Sequence, residues 1–246
     1  MGLGDWVMAS AQVKEANERT GKKVMLGDGK RYFFEKEIFA NNPRMAVPGE
    51  ECTWVPNYGG SRPYITGSLN KHFIFNDNWR PSPGELFFSD AELEWSDRYS
   101  PDNPYIVIEP NVKNRFTHGV NKAWPYWEDI SRANLPFLQL GDGTGKLFES
   151  SKTNTFREAL LLLRNAALFV GTDGGLHHAA AALNIPAVVI WTGFSSPKHL
   201  GYDTHTNVHK GGKPCGNYGG VCSHCAEIAK SISPDEVLAA INKEFN

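Results

Sequence analysis

The chain has 246 residues, 41% hydrophobic and 21% charged, the balance of a folded globular protein rather than a disordered one. Lys and Arg number 25 against 27 Asp and Glu, a formal net charge of −2, so the strong basic footprint of a protein that binds nucleic acid by charge alone is missing. No apolar run approaches the ~18 residues of a membrane span, and the start MGLGDWVMAS lacks the basic opening and long apolar core of a secretory leader, so a soluble, cytoplasmic protein without a transmembrane segment is expected.

Trp6, Ala9, Val13 and Ala16 recur at helical spacing, and Gly21 is placed to stop that helix. A short strand is predicted over Lys23 to Leu26. The Gly-, Pro- and Tyr-rich stretch from Gly49 to Gly67 reads as loop with one short strand near Thr53 to Val55, and His72 to Phe75 as another strand. Ser89-Asp90-Ala91-Glu92 is a capping box that opens a helix from about Asp90 to Trp95 or beyond. Tyr99 to Pro104 reads as a linker. Beyond it strands (Tyr105 to Glu109, Pro136 to Leu140, Leu168 to Gly171, Ala187 to Trp191) alternate with helices (Trp124 to Asn134, one capped by Thr155 and Glu158, Leu176 to Leu183). The uninterrupted apolar runs suit parallel strands covered on both faces. Ser233-Pro234-Asp235-Glu236 starts a closing helix with Val237, Leu238 and Ile241 inward. The pattern predicts an α/β doubly wound domain at residues 101–246 and a smaller α/β partner at 1–100.

The richest stretch is Gly171-Thr172-Asp173-Gly174-Gly175-Leu176-His177-His178-Ala179-Ala180-Ala181-Ala182-Leu183. A strand feeds a glycine pair and then a helix of small residues. Such a turn lets a ligand approach the backbone, and the free N–H groups of the helix start suit an anion. The bland alternative is a tight turn with Asp173 as a helix cap. His177 reads as structural.

This segment, with Asn184 to Trp191 and the Thr192-Gly193-Phe194-Ser195-Ser196-Pro197 loop, resembles the ADP-heptose:lipopolysaccharide heptosyltransferases, family nine of the glycosyltransferases. Gly2-Leu3-Gly4-Asp5 resembles the family's N-terminal Gly-Asp loop, and with Met1 immediately before it the family's first strand is expected to be missing. Tyr105 to Asn111 with Lys122-Ala123-Trp124-Pro125 resembles the opening of its second domain, and Cys222 to Ile241 its closing pattern.

The resemblance implies a GT-B fold, two Rossmann-like domains with a reduced N-terminal one. It implies transfer of a sugar from a nucleotide-sugar donor to an acceptor hydroxyl, with inversion, no catalytic metal and no cofactor. Asp5 matches the general base. Lys122, Asp173, Gly174, Gly175 and His178 match residues lining the donor. Gly4, Asp142 and Ser195 are acceptor-side or loop candidates. The first domain would face a glycan or other acceptor.

Leu140 to Leu147 imitates a phosphate-binding loop but fails it, because Leu140 stands where the motif needs Gly and Leu147 where it needs Ser or Thr. Cys215, Cys222 and Cys225, with His209 and His224 nearby, lack the spacing of a zinc site and read as reduced packing cysteines, a local disulfide or zinc being the alternatives. Two other functions remain open: a nucleotide-sugar-binding module without catalysis, and a transferase acting on modified nucleic-acid bases. The charge balance disfavours the second, although Trp54, Tyr58 and Tyr64 could stack on bases or on sugars.

Overall fold

The computed structural model describes residues 2–56, 62–112, 117–141 and 147–245. Helix α1 (Leu3–Thr20) buries Trp6, Ala9, Val13 and Ala16 on one stripe. Gly21 ends it in a left-handed conformation (φ 66°), and its N–H returns to the Asn17 carbonyl. Strand β1 (Val24–Gly27) is buried throughout, and after the short helix α2 (Lys36–Phe39) it pairs in parallel with β2 (Thr53–Pro56). Strands β3 (Ile65–Leu69) and β4 (His72–Phe75) form an antiparallel hairpin. Its turn is Asn70-Lys71, both at positive φ (49° and 63°), the primed geometry that matches strand twist. Helix α3 (Asp90–Tyr99) starts on the predicted box: Ser89 Oγ accepts the Glu92 N–H, and Glu92 accepts the Ser89 N–H.

The second lobe runs β5 (Ile106–Glu109), α4 (Thr117–Val120), α5 (Trp127–Ile130), β6 (Phe137–Gly141), β7 (Ser150–Lys152), α6 (Phe156–Arg164), β8 (Leu168–Thr172), α7 (Gly175–Ala182), β9 (Ala187–Ile190), α8 (Pro197–Leu200), β10 (Thr206–Val208), α9 (Ser223–Ser231) and α10 (Pro234–Phe245). The strands make one six-stranded sheet in the order β10-β9-β8-β5-β6-β7, every pairing parallel.

Alternation along the strands divides the core. Val107, Leu138, Phe169 and Val189 face a cluster with Leu160 and Leu163 of α6, Ala179 and Ala180 of α7, and Trp6 and Val13 of α1. Ile106, Ile108, Val170 and Val188 face another with Trp127 and Ile130 of α5 and Val237 and Ile241 of α10. Each fully buried Leu or Ile contributes roughly 1.5–3 kcal/mol by leaving water. The first cluster continues into Leu26 of β1 and Ile38 of α2, so α1, lying against α7, joins the lobes.

Together the lobes give the mixed α/β, GT-B-like architecture that the resemblance implied. The differences are local. The helix predicted over Trp124 to Asn134 shrinks to the single turn α5, because the Trp124 indole is pinned on the Ile232 carbonyl and Leu135-Pro136 cannot continue a helix. Strand β3 lies in a stretch read as loop. Its pattern is half-exposed, and Gly67 and Ser68 give no apolar alternation. The edge strands β7 and β10 and the helices α2, α8 and α9 were likewise not anticipated. No described helix is long and apolar enough to cross a membrane.

Candidate active site

Sheet order changes direction between β5 and β8: β6 and β7 lie to one side, β9 and β10 to the other. In an open parallel sheet, ligands bind beyond the carboxyl ends of the strands at such a switch point. The sequence puts Glu109 at the end of β5 and Asp173 just past β8, with Glu109 in register with Gly171. Gly174 then leads into α7, leaving the first N–H groups of that helix free of intrahelical partners.

Asp173 organises the site. Its side chain is 4% exposed. Oδ2 accepts Lys122 Nζ at 2.7 Å and the Ser195 hydroxyl at 2.6 Å. Oδ1 faces His177 Nδ1 at 3.8 Å and His178 Nε2 at 3.7 Å. Burial alone would raise this carboxyl, but the Lys122 charge, aided by both histidines, holds it well below the usual carboxylate range. Burial pushes His177 and His178 down, so both imidazoles are neutral at pH 7. Tyr202 Oη meets His178 Nδ1 at 3.0 Å and fixes that ring. Lys122 also lies over the Phe194 ring, 5.2 Å from its centroid.

The N-terminal lobe reaches this cluster through α1. A Cβ on Gly4 would stand 2.8 Å from His178 Cδ2 and 3.4 Å from Gly175 Cα, so only glycine allows this approach. Asp5 sits in the first turn of α1, its side chain 8% exposed, and its carboxylate accepts the Gly2 N–H at 2.9 Å.

The structure thus brings together Lys122, Asp173, Gly174, Gly175, His178, Ser195 and Gly4, with Asp5 one residue beyond Gly4. Asp142 lies outside the described residues, as does Tyr58. Glu109, Tyr202 and Arg62 were not singled out from the sequence, and Tyr64 only as an aromatic that could stack on bases or sugars. A carboxylate ending an apolar strand was the one signal available for Glu109, and it gains meaning only once strand order is known.

Burial pushes Glu109 up from 4.5 to about 7, partly opposed by the Asn111 N–H on Oε1 at 3.0 Å. Between pH 4.5 and 7 the folded chain therefore keeps a proton that the unfolded chain has lost, and stability falls as pH rises through that window. Glu109→Gln should gain roughly 1–3 kcal/mol over wild type at pH 8 and nothing near pH 4.5, read by urea melts at both values.

Residues 151–219 match the family model for glycosyltransferase family 9 (heptosyltransferase). No curated protein sequence matches the chain. Among solved structures, the iron-containing dodecameric glycosyltransferase TibC from enterotoxigenic E. coli superposes with a TM-score of 0.66 at 17% identity, over 99% of this chain and 73% of its own. TibC in complex with ADP-D-β-D-heptose gives 0.65 at 16%, with the same coverage. A family 9 glycosyl transferase from Veillonella parvula gives 0.65 at 11%, over 100% of this chain and 95% of its own.

These structures share with the chain a GT-B-like fold. The family match covers residues 151–219, and the chain spans 73% of the length of TibC.

The expectation of a protein without metal or cofactor is corrected by two findings. Asp173, His177 and His178 form a buried group whose ligand atoms all lie within 4.8 Å of one another, and similar solved structures are described as iron-containing. The residues fit a cation. Both ring nitrogens of His177 are buried without a hydrogen-bond partner, both imidazoles are neutral, and Asp173 is ionised, the protonation states of ligands. Oδ1 is the carboxylate oxygen turned to the histidines, while Oδ2 is occupied by Lys122 and Ser195.

Cys215, Cys222 and Cys225 form a second such group among the described residues. All four cysteines are free, with Cys215 Sγ 3.0 Å from Cys225 and 3.7 Å from Cys222. The Cys225 thiol bonds to Cys215 and pulls it toward thiolate, and soft sulfur donors suit iron or zinc. His209 is engaged elsewhere, accepting the Gly211 N–H.

Proposed function

We propose that this enzyme moves a sugar from a nucleotide-sugar donor to the hydroxyl of a glycan or other acceptor. The observation that carries the reading is the Asp173 cluster at the switch point, with the Gly4-Asp5 turn packed on the start of α7. In this reading the donor diphosphate lies against the N–H groups of Gly174 and Gly175, where backbone dipoles and the Lys122 ammonium stabilise the charge that builds on it as the sugar departs. Asp173 and Ser195 hold Lys122 in place, and His178, oriented by Tyr202, lines the donor. Asp5 takes the proton of the acceptor hydroxyl. Residues 1–100 would carry the acceptor side and 101–246 the donor side. Four free thiols favour a reducing compartment, the cytoplasm.

A cation held by Asp173, His177 and His178 would add Lewis-acid charge beside the diphosphate. Elemental analysis of the purified protein should find bound iron or zinc. His177→Ala should lower the metal content if the buried triad holds it, and Cys222→Ser if the thiols do; wild type without metal would remove both assignments. The function is tested by incubating the protein with a panel of nucleotide sugars, ADP-heptose among them because TibC is known with it, and measuring nucleotide release. Turnover of one donor is expected; tight nucleotide binding without turnover of any would contradict transfer.

A further inference from the structure

Asp5 is gripped by a segment that its own helix does not contain. Tyr64 Oη donates to Oδ1 at 2.5 Å and Arg62 Nε donates to Oδ2 at 3.2 Å, and these partners stand 59 and 57 residues away in sequence. With the Gly2 N–H on Oδ2, three donors among the described residues meet this carboxylate. An ionised carboxylate offers about four lone-pair sites. Among the described residues two on Oδ2 and one on Oδ1 are filled, which leaves one on Oδ1.

The donors are themselves fixed. Burial, reinforced by the Asp5 charge, pushes the Tyr64 phenol up, so it stays protonated and donates its hydrogen to Asp5. Its ring packs beside Trp79 at 5.9 Å between centroids. The Arg62 guanidinium lies over the Phe73 ring at 5.7 Å, and Phe73 of β4 packs on Phe194 at 6.4 Å, the same ring that carries Lys122. One aromatic chain therefore connects the group that holds Asp5 to the lysine of the donor side.

We infer that Tyr64 and Arg62 are positioning residues for Asp5, turning the last lone pair of Oδ1 toward the acceptor hydroxyl. This rests on the transferase reading above. In the step they serve, the acceptor O–H bond breaks and its proton passes to Oδ1. The acceptor oxygen bonds to the anomeric carbon, and the bond from that carbon to the diphosphate breaks with its electron pair on the leaving oxygen.

Tyr64→Phe keeps the ring against Trp79 and removes the hydroxyl. With the donor that wild type turns over fastest in the nucleotide-sugar panel, and water as acceptor, kcat should fall about 10- to 100-fold, the scale of a misplaced catalytic group. The KM for that donor should stay within about twofold, a split that general loosening of the fold would not give. Arg62→Lys, which keeps the charge but not the fork, should behave likewise with a smaller drop. In the Asp5→Asn background, Tyr64→Phe should cost nothing further, because the group it positions is gone. Tyr64→Phe with wild-type kcat beside a slow Asp5→Asn overturns the positioning role and leaves the base in place. Asp5→Asn with wild-type kcat overturns Asp5 as the base and this inference with it, whereas no turnover of any donor by wild type overturns the transferase reading itself.

Discussion

Asp5→Asn should lower sugar transfer by about 10²- to 10⁴-fold, the range that a positioned general base contributes. The substitution keeps the shape of the side chain, and its one carbonyl oxygen can still accept the Gly2 N–H while its NH2 takes the place of the oxygen that the Tyr64 hydroxyl met, so the first turn of α1 and the Gly4 contact with His178 are preserved. What it removes is the charge that receives the proton. Donor affinity should therefore hold within about twofold in calorimetry, since no donor-side residue is altered. Equal loss of affinity and rate would instead mean that Asp5, through Arg62, holds the start of α1 in place within its own lobe. Its ion pair with Arg62 is mostly shielded, the two side chains being 8% and 31% exposed.

Asp173→Ala should destabilise the fold strongly. The carboxylate compensates the Lys122 charge, takes the Ser195 hydroxyl and faces two buried imidazoles. Removing one member of a buried ion pair strands the other, at a cost of about 3–5 kcal/mol. Lys122 is 23% exposed and regains part of its hydration, which places the expected loss nearer the lower value. Chemical denaturation should show it as a lower midpoint with an unchanged slope. Nucleotide binding should be lost as well, because Lys122 no longer has a fixed position. Asp173→Asn, which retains the Ser195 bond but not the charge, should fall between.

The central sheet was legible because its strands are buried on both faces. Ile106 to Ile108 and Ala187 to Ile190 are unbroken apolar runs, and such runs have few other places to go. Helix ends were legible where a side chain or a glycine makes the boundary, as at Ser89, Thr155 and Gly21. The β3–β4 hairpin was half legible. Its turn is Asn-Lys rather than Asn-Gly, and β3 is too exposed to alternate, so β4 alone showed.

For the site, each half could be read locally, the Gly-Gly turn into α7 and the Gly-Asp start of α1, because both depend on small residues next to one acidic group. Their meeting could not. Lys122 and Asp173 are 51 positions apart, and only the crossover of β5 to β8 makes them neighbours. Tyr64 and Arg62 lie beside a Gly-rich stretch with no periodicity to reveal which way they point. The metal-binding capacity of the Asp173 group was hidden for a different reason. His177 and His178 are adjacent in sequence, and it is the turn after β8 that swings the Asp173 carboxylate to face both rings.

The most direct test is a crystal structure with a bound nucleoside diphosphate. The account predicts the diphosphate at the carboxyl ends of β5 and β8, its oxygens about 3 Å from the Gly174 or Gly175 N–H and from Lys122 Nζ. A nucleotide seated on the α10 face of the sheet, or with its phosphates away from Lys122 and the start of α7, would contradict it.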